Sequence, residues 1–140
     1  MILYLDTSSL AKMYIEEAGS SLVRQWAEEA EILATCRVAY PEMVSALSRH
    51  FRGGTLSRAP YELILERFAE EWKHFAVVDF DEIEAGRLAA AHGLRGFDAV
   101  HLAAALLLAS SDPALAVAFS SFDQKLNEAA ATEGLSVLSR

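Results

Sequence analysis

Carboxylates follow two short apolar runs, one near each end of the chain. The run 2–5 is followed at once by Asp6, and the run 115–119 is followed, after two serines, by a segment that contains Asp123. Apolar runs of this length are typical of buried strands. In open sheets of parallel strands, ligands bind beyond the carboxyl ends of the strands. We therefore expect Asp6 and Asp123 to face a shared site.

Two further acids stand in the first turns of predicted helices. Glu42 follows Pro41, a residue that suits the first turn of a helix, and Asp98 opens the apolar stretch FDAVHLAAALLLA. The start of a helix favours negative charge, so neither placement requires a function by itself. Together with Asp6 and Asp123, however, they predict a hollow with four like charges.

This combination indicates a chemistry that uses hard cations. Four neighbouring carboxylates without partners repel one another, and some would take up protons at neutral pH. Divalent cations such as Mg²⁺ remove the repulsion, bind through a few carboxylates and bridge to phosphates. A metal-bound water can then attack a phosphoryl group. An acid-only site without clustered Cys or His is therefore typical of phosphodiester hydrolysis.

The elements that would position these acids alternate between strand and helix. The predicted strands cover 2–5, 32–35, 75–80, 115–119 and 135–139. In the first half of the chain, helices are predicted over 7–19 with Gly19 as the stop, after a cap by Ser20 or Ser21, and from Pro41 to Gly53. In the second half, a helix is predicted to begin near Ser57 and Pro60, and another covers 95–109. Two more helices are predicted to begin with capping boxes, Asp81–Glu84 and Ser121–Gln124. Such alternation predicts an α/β fold, one domain over 1–140 with a central parallel sheet flanked by helices.

The overall charge does not suit a simple nucleic-acid binder. The chain of 140 residues carries 20 acids against 12 Lys and Arg, a formal charge of −8, whereas affinity for phosphate normally comes from basic residues. One window departs from this balance, since it holds a single acid, Glu42, and four arginines: Arg37, Arg49, Arg52 and Arg58.

Composition also bounds the setting of the protein. Hydrophobic residues make up 53% of the chain, which is ample for one core, but no stretch reaches the roughly 18 apolar residues of a membrane span. Asp6 interrupts the first apolar run too early for a signal peptide. The lone Cys36 suits core packing in a reducing compartment. We expect a cytoplasmic protein with no membrane partner.

Four stretches of the sequence, in order, resemble the PIN domain, and within it the VapC-type ribonuclease toxins of toxin–antitoxin pairs. They are LDTSSLAKMYIEEAGS, PEMVSALSRHFRGG, GFDAVHLAAAL and FSSFDQKLNEAAATEGL. Together they span nearly the whole chain. The last departs from the usual Thr-x-Asp, because it has Ser121, Phe122 and Asp123.

The resemblance implies an endoribonuclease with Mg²⁺ or Mn²⁺ at an acidic quartet of Asp6, Glu42, Asp98 and Asp123. It implies that Thr7, Ser8 and Ser121 help to position a ligand or its waters. It also implies a homodimer, products with 5′-phosphate and 3′-hydroxyl ends, and a VapB-type antitoxin whose C-terminal segment blocks the site. Because the predicted pocket is acidic, we expect an Arg or Lys of the antitoxin to enter it in place of metal. No nucleotide cofactor is implied.

Other residues near these motifs admit two interpretations. Arg49 lies two turns beyond Glu42 and would hold RNA phosphate at the rim of the site, as Arg37 and Arg52 would, or it is a solvated surface arginine. His101 lies one turn beyond Asp98, but a single His on an apolar helix is usually a core residue with its hydrogen bonds satisfied. We leave His101 out of the predicted catalytic set.

Two rival functions stay open at this stage. A PIN-type adaptor would bind RNA or protein without catalysis, although the presence of all four acids argues against it. A receiver-like signalling domain would need a phosphoacceptor aspartate at the end of a central strand, for which Asp79 is the candidate, and a lysine after a late strand. The chain's lysines, Lys12, Lys73 and Lys125, do not occupy such a place.

Overall fold

The computed structural model describes residues 1–138, so Ser139 of the predicted last strand lies outside the described residues. The strands are β1 (Ile2–Leu5), β2 (Ile32–Cys36), β3 (Ala76–Val78), β4 (Val117–Ser120) and β5 (Ser136–Leu138). The helices are α1 (Thr7–Lys12), α2 (Ser20–Glu29), α3 (Ala39–Arg52), α4 (Arg58–Trp72), α5 (Glu82–His92), α6 (Gly96–Ser111) and α7 (Gln124–Thr132).

The five strands form one parallel sheet in the order β3-β2-β1-β4-β5. This confirms the predicted α/β fold with a central parallel sheet. The chain winds outward from β1 through β2 to β3, and then returns to place β4 on the other side of β1. The reversal opens a crevice between β1 and β4 at their carboxyl ends, which is where sheets of this kind bind ligands.

The sheet separates two hydrophobic layers because successive side chains of β1 point to opposite faces. Tyr4 packs on the side of α6, where its ring stacks on Phe119 with centroids 5.7 Å apart. Leu3 and Leu5 pack on the other side, in the cluster that includes Met43 of α3. Helices α3 and α6 therefore approach the same end of β1 from opposite faces.

The first helix is shorter than predicted. Its apolar spacing predicted a helix over 7–19, but α1 ends at Lys12. The segment that follows folds back instead, and the Ser20 hydroxyl donates to the carbonyl of Ile15. Tyr14 remains buried although it lies outside the helix. The spacing of the apolar residues therefore indicated which side chains are buried, but not that the backbone is helical.

Gly19 does not end a helix but precedes α2, with a positive φ of 93°. A Cβ at this position would lie 2.6 Å from the ring of Phe122, so the close approach also requires glycine. Helix α2 begins at Ser20 without a side-chain cap, and the predicted cap by Ser20 or Ser21 is wrong.

Two other helix starts differ in detail. Helix α3 begins at Ala39, two residues before Pro41, yet Glu42 still lies in its first turn. Helix α7 is capped by Asp123, whose Oδ1 accepts from the backbone N–H of Leu126 at 3.0 Å. The predicted Ser121–Gln124 capping box is therefore wrong, because the Ser121 hydroxyl is directed to another carboxylate.

The cap of α5 by Asp81 and the burial of Cys36 agree with the predictions, but the Glu84 half of the predicted capping box is not formed. Asp81 caps α5 through the backbone N–H groups of Ile83 and Glu84, although the Glu84 side chain pairs with Arg87 and not with the cap. Cys36 is buried, as predicted. Over residues 1–138, only α5 and α6 taken together have the length and composition of a membrane span, and they are bent by 117° to each other.

Candidate active site

A cavity of about 810 Å³ opens at the carboxyl edge of the sheet, above the crevice between β1 and β4. All four predicted acids line it: Asp6 after β1, Glu42 from α3, Asp98 from α6 and Asp123 before α7. Thr7, Ser8 and Arg49 line it as well. Elements from both layers thus place the predicted residues around one space, while their roles in catalysis and metal binding stay predictions.

Asp6 is the most firmly fixed of the four acids. It is 3% exposed, and its Oδ1 accepts from the Ser8 hydroxyl at 2.7 Å and from the backbone N–H of Ser9 at 2.9 Å. Its Oδ2 accepts from the Ser121 hydroxyl at 2.6 Å. A carboxylate has about four lone-pair positions, so these three donors leave room for one further ligand.

Glu42 is held by a network that spans the two layers. Its Oε1 accepts from the Thr7 hydroxyl at 2.7 Å and lies 2.8 Å from Nε2 of His101. His101 is 2% exposed, and its Nδ1 lies 2.8 Å from the hydroxyl of buried Tyr4. The network connects a β1 side chain to α6, and α6 to α3.

The chemistry of its two ends fixes the direction of this network. A carboxylate can only accept, so Nε2 of His101 carries a hydrogen and donates to Glu42. Burial raises the pKa of Tyr4 well above its usual value, so the phenol keeps its proton and, when the imidazole is neutral, donates to Nδ1 of His101. Burial opposes ionisation of Glu42, but the hydrogen bonds from His101 and Thr7 outweigh it and lower the pKa of this carboxyl.

Asp98 and Asp123 stand on the other side of the cavity, where Arg95 contacts both of them at long range. Nε of Arg95 lies 3.4 Å from Oδ2 of Asp98, and its Nη2 lies 3.7 Å from Oδ2 of Asp123. Arg95 itself is 85% exposed. Burial and the neighbouring charges of Asp123 and Asp6 raise the pKa of Asp98, and Arg95 offsets only part of this effect.

The donor set fits a hard divalent cation. Carboxylate and hydroxyl oxygens are the ligands that Mg²⁺ prefers, and repulsion on Asp98 from Asp123 and Asp6 is the condition that a cation relieves. Within residues 1–138, no three acidic, His or Cys side chains already lie close enough together to hold a metal ion. Mg²⁺ is commonly bound through one or two carboxylates and keeps several waters, so this spacing is compatible with it.

The predicted RNA-binding arginines are not all at the cavity. Arg49 lines it, and Nη1 of Arg49 donates to the Ser45 hydroxyl at 2.9 Å. Arg37 is paired with Asp79 at 2.8 Å outside the cavity lining, and Arg52 is an exposed residue of the last turn of α3 that does not line it either. Ser121 does not line the cavity either, but its hydroxyl donates to Asp6, which does.

Among the lining residues that sequence reasoning did not assign to the site, three have side chains that contact its acids or form its rim. His101 is buried, as predicted, but it also holds Glu42, and its position one turn beyond Asp98 was the available signal. Arg95 directly precedes α6 and contacts two of the acids. Phe97 was assigned to an apolar helix, yet its ring is 60% exposed at the rim.

Comparisons with known proteins found a matching family model and several named relatives. The family model described as PIN domain matches residues 3–132. Ribonuclease VapC45 of Mycobacterium tuberculosis is 35% identical over 139 residues, which cover 97% of this chain and 94% of that protein. Ribonuclease VapC3 of Pyrobaculum aerophilum is 31% identical over 107 residues, 75% of this chain and 82% of that protein.

The fold also matches a solved structure. The crystal structure of FitAcB from Neisseria gonorrhoeae superposes with a TM-score of 0.68 at 17% identity, and the match covers 99% of this chain and 97% of that one. At this level of identity the likeness concerns the fold alone.

Proposed function

The chain belongs to the PIN domain family, and from this premise we propose that it is a metal-dependent endoribonuclease, the toxin of a type II toxin–antitoxin system. The observation that carries the proposal is the meeting of Asp6, Glu42, Asp98 and Asp123 around one cavity. The names of the relatives, both ribonucleases, support the choice of RNA as the substrate.

The four acids would hold Mg²⁺ or Mn²⁺, and Asp98 is close enough to Asp123 and Asp6 for their charges to raise its pKa. A bound ion would supply activation of water and neutralisation of charge on the phosphate. The resemblance to PIN-domain ribonucleases implies products with 5′-phosphate and 3′-hydroxyl ends. Asp6 is oriented for this task by Ser8, Ser9 and Ser121. Glu42 is kept ionised and oriented by Thr7 and His101.

The RNA would approach over Arg49, the arginine of the basic window that lines the cavity. Its contact with Ser45 holds the guanidinium beside the acids, where it can pair with a backbone phosphate. Arg37 and Arg52 stay candidates for more distant phosphate contacts. Because the chain carries a net charge of −8, bound metal has to supply much of the attraction for RNA.

The proposed partners of the protein are inferred from its family. We propose a VapB-type antitoxin that neutralises the toxin by placing an Arg or Lys in the acidic cavity, where a charge-assisted pair with the carboxylates would replace the metal. A homodimer in the cytoplasm, with neither membrane nor nucleotide cofactor, completes the proposal.

The sheet order disfavours the receiver-like alternative. Such a domain needs its phosphoacceptor at the end of a central strand, but Asp79 follows β3, which is an edge strand. Asp79 is also paired with Arg37 outside the cavity. A non-catalytic adaptor remains the rival that an experiment must separate.

The direct test is cleavage of total cellular RNA by the purified protein, freed of antitoxin, in Mg²⁺ or Mn²⁺ and in EDTA. We expect discrete products that vanish in EDTA and fall by about 10²–10³-fold in Asp98→Asn. The matched control is Asp79→Asn, because it removes a strand-end acid outside the cavity, and it should cleave like the parent. An adaptor would leave RNA intact in every sample, and a fully active, folded Asp98→Asn would exclude the proposed site.

A further inference from the structure

A second cavity of about 430 Å³ continues from the acidic one. The two cavities share Thr7, Glu42, Arg49 and Phe97 as lining residues. They therefore form one groove that passes from the carboxylates over the Phe97 ring. We refer to the second cavity as the Phe97 pocket.

The Phe97 pocket has a different chemistry from the acidic cavity. Val38, Pro41 and Ser45 complete its lining, so its new surface is apolar except for one hydroxyl. Its charged members are Arg49 and Glu42, and Glu42 is already engaged by Thr7 and His101. The surface suits a flat, uncharged group with polar edges better than it suits a second phosphate.

Phe97 is out of place as a core residue. Its ring is 60% exposed, although it lies in the first turn of a helix whose next residues are largely buried. An exposed aromatic ring at the rim of a cleft is apolar surface that a ligand or partner can cover. It directly precedes Asp98, so whatever stacks on it lies beside the acids.

We propose that the Phe97 pocket binds one unpaired nucleobase of the RNA, stacked on the Phe97 ring, while the adjoining phosphate lies at the acids; this inference rests on the proposed function. The groove offers a path out of the acidic cavity to a nucleotide next to the scissile phosphate. Unpaired bases stack on aromatic side chains, and every base offers a face for this contact. The Ser45 hydroxyl and Arg49 lie where they can meet the edge of the base and its phosphate.

The test measures binding of fluorescein-labelled decamers of single-stranded oligouridylate and oligoadenylate by anisotropy. All proteins carry Asp98→Asn, so that the RNA stays intact. Phe97→Leu keeps apolar bulk but removes the ring, and we expect it to weaken binding about 5- to 100-fold, whereas Phe97→Trp should bind like the parent. Ile83→Ala is the matched control, since Ile83 is 78% exposed and lines neither cavity.

A decamer of abasic ribose phosphates separates the base from the backbone. It carries the same charge, so the parent and Phe97→Leu should bind it equally. Equal binding of the base-containing decamers by both proteins, or none by the parent at millimolar concentration, overturns the inference. A change in molecular mass of Phe97→Leu by light scattering, with RNA affinity unchanged, would assign the ring to contact between copies of the chain and would also overturn it.

Failure of the proposed function gives a different pattern. If the protein without the Asp98 substitution leaves RNA intact in Mg²⁺ but binds the decamers in a Phe97-dependent way, the pocket stands and the nuclease does not. If the protein without the Asp98 substitution cleaves RNA, and Phe97→Leu in that background leaves KM unchanged, the nuclease activity is supported and base binding by the Phe97 pocket is overturned.

Discussion

The two sides of the acidic cavity are built in opposite ways. Glu42 is surrounded by donors, and the hydrogen bonds of His101 and Thr7 lower its pKa. Asp98 faces like charges instead, and burial together with Asp123 and Asp6 raises its pKa. The same kind of side chain is thus stabilised as an anion on one side and opposed as an anion on the other.

The Glu42 side of the cavity is held in place by the protein itself, and we call it the fixed wall. The opposite wall, formed by Asp98 and Asp123, requires a cation. The carboxylate of Glu42 needs no ligand to hold it in place, because the hydrogen bonds of Thr7 and His101 fix its orientation. On the Asp98 side, the Oδ2 atoms of Asp98 and Asp123 have the long contacts of exposed Arg95, and such contacts contribute little in water. Oδ1 of Asp123 is used to cap α7. Uncompensated charge at a binding site costs stability, and the ligand that compensates it gains affinity from that cost.

The first prediction concerns the fixed wall and carries the largest effect. His101→Leu removes the donor to Glu42 and leaves the buried Tyr4 hydroxyl without its acceptor. We expect about 10- to 100-fold weaker Mn²⁺ binding with a similar loss in kcat, an unchanged KM for RNA, and about 1–3 kcal/mol less stability. Calorimetric Mn²⁺ titration, RNA cleavage and urea unfolding measure these effects.

The matched variants distinguish orientation from simple damage to the core. His101→Gln keeps a donor toward Glu42 and should recover part of the Mn²⁺ affinity. Tyr4→Phe removes only the hydroxyl that fixes the tautomer of His101, and should give a smaller loss than His101→Leu. If His101→Leu bound Mn²⁺ and cleaved RNA like the parent, the network would be structural only.

The sequence predicted the fixed elements of the site better than their couplings. Apolar runs followed by acids located Asp6 and Asp123, since the strand ends of a parallel sheet share an edge. It did not predict that Glu42 depends on His101, because the two side chains are 59 residues apart in the chain and meet only when α3 and α6 pack on opposite faces of the sheet.

Local patterns also failed where burial and backbone shape diverge. The spacing of Leu10 and Tyr14 predicted a continuous helix, but the chain turns after Lys12 and still buries Tyr14. Phe97 belongs to an apolar stretch that predicted burial, whereas the first turn of α6 projects its ring over the groove. Hydropathy reports the average environment of a segment and not the direction of its first side chain.

The second prediction compares the two walls by their effect on stability in EDTA. The folded-state pKa of Asp98 is raised above 3.8, so its charge destabilises the fold above that raised pKa, and the penalty disappears as the pH falls toward 3.8. Asp98→Asn should therefore be about 1 kcal/mol more stable than the parent at pH 7, about 3–5 °C in Tm, even though we expect it to cleave RNA about 10²–10³-fold more slowly.

Glu42→Gln should show the opposite sign. The folded-state pKa of Glu42 is lowered, so its charge stabilises the fold above its usual value of 4.5, and this stabilisation is lost as the pH falls through the lowered pKa. Urea unfolding at pH 7 and near pH 4 should show two differences of opposite sign that both shrink at the lower pH. Shifts of the same sign at pH 7 would remove the distinction between the walls.

The third prediction is the smallest and concerns Arg95, a cation that already faces Asp98 and Asp123. Arg95→Gln removes a contact that is too exposed to stabilise the fold, so Tm should stay within about 2 °C of the parent. Because Arg95 competes with a metal for the same carboxylates, Mn²⁺ binding should tighten about 2- to 5-fold at low salt, and the gain should fade as ionic strength rises. Weaker Mn²⁺ binding in this variant would mean that Arg95 orients the two acids for the metal, and the Asp98 side would then have a fixed support of its own.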